Sequence, residues 1–500
     1  MTPGTLSRLR RCLGGQARLP RPDGQGGFAK RSLLAGPLAF ALIACLPAPA
    51  GMPPAAQLTA AATAWIAIWW LTEAVNPAVT SLLPLVLFPL AGVAPLRSIS
   101  GEYSNEIVFL FLGGFFFGKT IEHWGLHRRI ALRLVLWIGT DPARTVLGFM
   151  LATAFISMWI SNTATAVMMT PVAVAVSLAA DRGENFNKSL LLGVGYACSI
   201  GGLATTIGTP TNAIFLSYVQ QKMGVTVSFG QWMLFGLPFA VALLLACWGI
   251  LLWFFPVKKT EHGESEAATQ SHRLTHDIIR EQLVALGPVT EPERRLMALF
   301  GTVILAWISG SLIWYRWVPN CTDTVVAVAG AIGLFLMPAG KANEPTVPLL
   351  DWKTAVSIPW GVILFFGGGL ALAKCFDLSG LAGWMGQQMQ GLGGLPYAMV
   401  LLAVLAAVVA LSEVASNIAT ASMMMPVLAA LAMNIGADPI GMMMCATMAA
   451  SFGFGLPIAT APNTIVFSAG YLRTRDMARA GFLLDVVAIL LLMGFAYVLL

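Results

Sequence analysis

Ser157-Met158-Trp159-Ile160-Ser161-Asn162-Thr163-Ala164-Thr165-Ala166, closely followed by Met168-Met169-Thr170-Pro171-Val172, has a second copy far down the chain. That copy reads Ser412-Glu413-Val414-Ala415-Ser416-Asn417-Ile418-Ala419-Thr420-Ala421, then Met423-Met424-Met425-Pro426-Val427. Matching positions lie 255 apart, as for 161 and 416 or 171 and 426. In each copy a polar Ser-Asn tip interrupts a long apolar run. Interrupted segments at corresponding places in two halves of a membrane protein point to a transporter's binding site.

The surroundings support a membrane setting. The 500 residues are 57% hydrophobic and 10% charged, with a mean hydropathy of +0.77. Soluble domains carry about a quarter charged residues. Apolar stretches long enough to span a bilayer are expected near 33–50, 58–72, 78–94, 105–120, 188–218, 230–255, 293–317, 322–338, 356–373, 437–470 and 481–500. The predicted fold is an all-α polytopic membrane protein with about eleven transmembrane helices. Re-entrant hairpins at 145–180 and 396–432 are additional. Continuous apolar runs exclude a β-barrel, which needs short alternating strands.

Charge gives the expected orientation. Residues 1–31 hold seven basic side chains against Asp23, are rich in Gly and Pro, and read as a disordered cytoplasmic segment. Eleven crossings then place the basic stretches 127–144, 256–295 and 471–480 inside, in line with the positive-inside rule. Leu42-Ile43-Ala44-Cys45 resembles a lipoprotein cleavage box, but the long basic region before it and the orientation count argue against cleavage. Residues 32–255 and 293–500 are predicted as two halves, joined by a cytoplasmic linker over 256–292. The seven cysteines show neither pairing nor metal spacing.

The halves share more than their hairpins. Phe111-Leu112-Gly113-Gly114 parallels Phe365-Phe366-Gly367-Gly368-Gly369. Gly208-Thr209-Pro210-Thr211-Asn212 parallels Ala459-Thr460-Ala461-Pro462-Asn463. The span count gives the copies opposite orientation, hence an inverted repeat. Ser, Thr and Asn favour helix caps over helix interiors, and proline opens a helix. Four broken elements are therefore expected to meet at one depth. Half-helix N-termini attract anions, while unwound carbonyls and helix C-terminal ends hold Na⁺.

Missing charges sharpen this reading. Residues 145–180, 189–221 and 439–472 contain no Lys, Arg, Asp or Glu, and 396–437 contain only Glu413. A neutral site holds an anion when co-bound cations and helix dipoles compensate its charge, which favours cation-coupled anion transport. A cation/proton antiporter would need titratable intramembrane carboxylates. An intramembrane enzyme would need a nucleophile–base or metal pair, yet all five histidines fall near helix ends or in the central loop. Glu413 reads as a partner for nearby backbone or hydroxyl groups, Glu73 as a helix-end contact, and Lys119 and Lys374 as snorkelling side chains.

These motifs, with Trp69-Trp70-Leu71-Thr72-Glu73-Ala74, resemble the divalent anion/Na⁺ symporters, the dicarboxylate, citrate and sulfate carriers, over about residues 55–500. The resemblance implies a homodimer in the cytoplasmic (inner) membrane. It also implies scaffold and transport domains, an elevator movement, and Na⁺-coupled uptake of a small di- or tricarboxylate without an organic cofactor. Exchangers and sulfate carriers share the fold. By motif, one Na⁺ site resembles the Ser157 carbonyl, Ser161, Asn162 and Gly208, and a second resembles Ser412, Ala415, Asn417 and Ala459. Substrate carboxylates would meet Asn162, Thr163, Thr209, Ser416, Asn417 and Thr460. Ile418 departs from the family pattern by replacing a Thr, and Thr211 and Ala461 stand where Pro is usual.

Overall fold

The computed structural model describes residues 25–139, 141–180, 182–257, 276, 277, 279–315, 317, 318, 320–340, 347–389, 391 and 394–499. Helices dominate, and among the described residues the β pairing amounts to one isolated bridge between Pro338 and Pro348. The first half contains α1 (Gln25–Cys45), α2 (Pro54–Thr72), α3 (Glu106–His123), α4 (Leu126–Ile138), α5 (Pro142–Ser157), α6 (Asn162–Ala180), α7 (Glu184–Gly202), α8 (Pro210–Met223) and α9 (Phe229–Phe254). The second contains α10 (Glu291–Ser309), α11 (Asp323–Leu336), α12 (Trp360–Leu378), α13 (Tyr397–Val414), α14 (Asn417–Ile435), α15 (Pro439–Ala449), α16 (Ala461–Ser468) and α17 (Thr474–Leu499). Shorter helical turns connect several of them.

Two sequence expectations need adjustment. Helix α1 starts at Gln25, inside the basic segment read as disordered, while residues 1–24 lie outside the described residues. Most of the 256–292 linker also lies outside them. Five helices are each long and apolar enough to cross a membrane among the described residues: α9, α12, α13, α14 and α17. Of these, α13 and α14 are the arms of the expected second hairpin. The spans expected over 58–72, 105–120 and 322–338 are carried by the continuous helices α2, α3 and α11, whereas those over 78–94, 188–218 and 437–470 are divided by turns and prolines. Pro77 and Pro84 start new helices within 78–94, and Pro210 restarts the chain within 188–218.

Packing interleaves the two halves. The arms α5 and α6 pack on α7, and α6 and α7 also contact α16 from the other half. Reciprocally, α14 packs on α15 and on α8. Helices α3 and α10 pack on α11, while α1 packs on α2. Close approach uses the Gly clusters: a Cβ on Gly113 would lie 2.9 Å from the Ala327 carbonyl oxygen, and one on Gly368 would lie 2.5 Å from that of Ser81.

Polar side chains fix the helix ends. Ser228 and Gln231 form a capping box on α9, as Thr290 and Glu293 do on α10. Glu293 also accepts from Arg129 of α4 at 2.8 Å, with both side chains buried. Arg129 donates further to the carbonyls of Leu286, Gly287 and Pro288. This network ties α4 to the chain entering α10. Lys374 is paired rather than snorkelling, donating to Glu102 at 2.6 Å, because Glu102 is buried beside the end of α12.

Candidate functional site

The Ser-Asn motifs form two helix–turn–helix hairpins. In the first, α5 ends at Ser157 and α6 begins at Asn162. In the second, α13 ends at Val414, Ala415 and Ser416 are extended, and α14 begins at Asn417. Each tip is held in the same way. Ser157 Oγ lies 2.7 Å from Asn162 Oδ1 and 2.7 Å from the Cys198 carbonyl. Ser412 Oγ lies 2.8 Å from Asn417 Oδ1 and 2.5 Å from the Ala450 carbonyl. One hydroxyl thus pins the asparagine to its own hairpin and the hairpin to the neighbouring broken helix.

Those helices break where the Thr-Pro-Asn chemistry stands. Helix α7 stops at Gly202, Thr209 is extended, and Pro210 opens α8. Helix α15 stops at Ala449, Thr460 is extended, and α16 starts at Ala461. A second pair of asparagines spans both breaks. Asn212 donates to the carbonyls of Gly202 (3.2 Å) and Thr205 (2.8 Å). Asn463 donates to those of Gly453 (2.9 Å) and Leu456 (3.0 Å). Asn212 Oδ1 and Asn463 Oδ1 are buried without a hydrogen-bond donor among the described residues. Sequence reasoning quoted both residues within motifs but did not include them among the site residues; their matched places were the available signal.

The hairpin tips and breaks converge on a cavity of about 840 Å³. Its lining includes Ser161, Asn162, Thr163, Gly208, Thr209, Ala415, Ser416, Asn417, Ala459 and Thr460. Ser157 and Ser412 are fully buried behind it, holding the asparagines. Ile418 lines the cavity, so the aliphatic departure reaches the site. Thr211 does not line it. The Thr211 hydroxyl lies 3.0 Å from that of Ser451, joining the two halves behind the loops, where proline would have no such group.

The electrostatics suit an anion beside cations. The N-termini of α6, α8, α14 and α16 all border the cavity, and each brings the positive end of a helix dipole to it. Nearby loops supply carbonyl, hydroxyl and amide oxygens, ligands suited to a hard cation. Charged lining groups are Glu73, Lys119 and Glu122, and Lys119 pairs with Glu122 at 2.8 Å. Glu413 turns away to accept from Gly455 N–H (2.5 Å) and Leu456 N–H (2.9 Å), which gives it the expected backbone partners. Among the described residues, no cluster of three or more His, Cys, Asp and Glu side chains is arranged to hold a metal ion.

The chain as a whole is similar to known proteins. A family model described as the sodium:sulfate symporter transmembrane region matches residues 29–499. A sodium-dependent dicarboxylate transporter, SdcS, of Staphylococcus saprophyticus is 38% identical over 481 residues, covering 93% of this chain and 90% of the relative. SdcS of Staphylococcus aureus is 37% identical over 480 residues, with the same coverage. The YdaH transporter of Alcanivorax borkumensis has a similar fold at 14% identity, with a TM-score of 0.56 over 84% of this chain and 98% of that one. The chain therefore belongs to the family described by the sodium:sulfate symporter transmembrane region.

Proposed function

We propose that this protein is a secondary active transporter that imports a di- or tricarboxylate, such as succinate, malate or fumarate, with Na⁺. The observation that carries the reading is the meeting of four helix N-termini with two carbonyl-rich helix breaks on one cavity. The N-termini compensate carboxylate charge without a committed arginine. Two Na⁺ ions supply the remaining positive charge. The first is held by the Ser157 carbonyl, Ser161, Asn162 and Gly208, and the second by Ser412, Ala415, Asn417 and Ala459. The orphaned oxygens of Asn212 and Asn463 fit a polar, cation-holding interior. The names of the staphylococcal relatives support sodium and dicarboxylate as the coupled pair.

Cations bind first in this mechanism and order the loops. The substrate then seats its carboxylates on Asn162, Thr163, Thr209, Ser416, Asn417 and Thr460. The charge-compensated site crosses as a unit formed by the hairpins, the broken helices, α9 and α17. The remaining helices act as the scaffold of a homodimer, with the N-terminus cytoplasmic and the two halves as inverted repeats. Labelled succinate uptake into proteoliposomes under an inward Na⁺ gradient, with K⁺ as control, tests the function. Na⁺-dependent uptake competed by other dicarboxylates is expected. Uptake driven only by internal succinate would identify an exchanger, and Na⁺-driven uptake of sulfate alone would replace the substrate class.

A further inference from the structure

Three helices connect the cavity to a second polar cluster. Helix α8 opens at the cavity with Pro210 and ends at Met223. Helix α3 lines the cavity with Lys119 and Glu122, near its end, and starts at Glu106. Helix α12 lines it with Val362, near its start, and ends at Leu378. At 1.5 Å per residue, Lys222 stands about 18 Å along α8 from Pro210. There Lys222 pairs with Asp377 of α12. Gln221 Nε2 donates to Glu102 at 2.7 Å, and Gln220 Nε2 donates to Glu106 at 3.1 Å. The Ser217 hydroxyl donates to Asn105 Oδ1 at 3.3 Å. Beyond the turn at Gly224, the N–H of Phe229 donates to Asp323 at 2.6 Å.

These contacts are sorted by chemistry. Each donor stands on residues 217–229, and each acceptor stands on the side of α3, α11 and α12. A second set of bonds holds three of the acids on their own side. Glu102 also accepts from Lys374 at 2.6 Å, Glu106 from the Thr322 hydroxyl at 2.6 Å, and Asp323 from the Tyr315 hydroxyl. Those acids keep a partner when residues 217–229 withdraw. Gln221, Lys222 and Asp377 are exposed, so water replaces the bonds they lose. A single exposed pair holds weakly. Five such contacts side by side hold together and still part.

We propose that residues 217–229 and the acceptors Glu102, Asn105, Glu106, Asp323 and Asp377 form a latch. It holds the carried unit against the scaffold at the end away from the cavity, and it parts each time the site crosses. The donors belong to α8 and α9, on the unit that carries the site. The acceptors belong to the scaffold. Helix α8 is continuous from the cavity to the latch, so the site cannot advance along the scaffold while the latch is made. The division into carried unit and scaffold rests on the function proposed above; the sorted cluster does not.

Spin-label distances, read by pulsed electron paramagnetic resonance on the full-length protein in proteoliposomes, test the latch without substrate. Labels are placed on Val225→Cys and Leu378→Cys, at two exposed positions. Cys12, Cys45 and Cys321 are replaced by Ser, and the other four cysteines are buried. Lys222→Asp sets a carboxylate against Asp377. The ratio of long to short distances should rise about three- to tenfold, and Lys222→Asp/Asp377→Lys should restore it. A ratio unchanged in Lys222→Asp, or unrestored by the exchange, overturns the latch. If Lys222→Asp does not fold, Lys222→Gln should raise the ratio about twofold, and no rise overturns the latch equally. The link to crossing is read from Na⁺-driven succinate uptake by Lys222→Cys/Asp377→Cys in the same background, joined by a bis-methanethiosulfonate. Uptake should be lost on joining and return on reduction. Full uptake while joined overturns the requirement that the latch part. A protein that takes up no succinate before joining removes the transport reading, and the label distances still decide the latch.

Discussion

Gly208→Ala tests whether the first helix break is a cation site. A Cβ on Gly208 would lie 2.5 Å from the Gly202 carbonyl oxygen and 2.9 Å from Gly202 Cα. Ordinary contact begins near 3.4 Å, so the two sides of the loop must part by about 0.9 Å. Backbone lies on both sides, and no flexible side-chain tip can yield. Ligand distances in metal sites are held to about 0.2 Å, so the displaced Gly208 carbonyl no longer serves. Overpacking of this kind costs about 1–3 kcal/mol. Drawn entirely from cation binding, that raises the half-saturating Na⁺ concentration by about 5–150-fold. The second half supplies a control. The position matching Gly208 is Ala459, which already carries a Cβ opposite Gly453. Ala459→Gly removes only that methyl group and loosens the loop by about 0.5–1 kcal/mol, a change of about two- to fivefold. Uptake would be measured against Na⁺ concentration in proteoliposomes, with protein recovery checked by size exclusion. Wild-type Na⁺ dependence in a folded Gly208→Ala protein would refute the reasoning.

Other substitutions probe the remaining parts. Asn162→Ala and Asn417→Ala should each abolish uptake while lowering stability by only about 1 kcal/mol, because Ser157 and Ser412 keep their bonds to Cys198 and Ala450; near-normal uptake in both would remove these residues from the site. Ile418→Thr adds a hydroxyl to the cavity wall and should change the order in which succinate, citrate and sulfate compete; an unchanged order would deny Ile418 a pocket role. Arg129→Met leaves the Glu293 carboxylate buried without its cation and should cost about 3–5 kcal/mol. Tryptophan-fluorescence melting would show a lower transition, partly restored in Arg129→Met/Glu293→Gln, and an unchanged transition would make the buried pair dispensable.

Much of the site was legible because it depends on local chemistry. A Ser-Asn pair in the middle of an apolar run must cap a helix or find buried partners, and a proline just after a threonine in such a run opens a new helix. These rules located both hairpins and both breaks. The duplication paired them, and the absence of charge from these segments pointed to a site built on helix dipoles and neutral oxygens. Other features required distances between remote residues. Spacing did not reveal that Ser157 and Ser412 stand behind the cavity, or that Asn212 and Asn463 each span a break ten residues wide.

Sequence alone determined the membrane class, the paired motifs and their half-helix chemistry, because helix breaking and hydropathy act within a few residues. Tertiary structure decided which charges meet. Lys374 reaches Glu102 at 2.6 Å, Arg129 reaches Glu293 across 164 positions, and Glu413 reaches the Gly455 N–H across 42. Each acid and base looks alike when read along the chain. Whether it is paired or exposed depends on which helices pack together, since burial removes the water that would otherwise screen it.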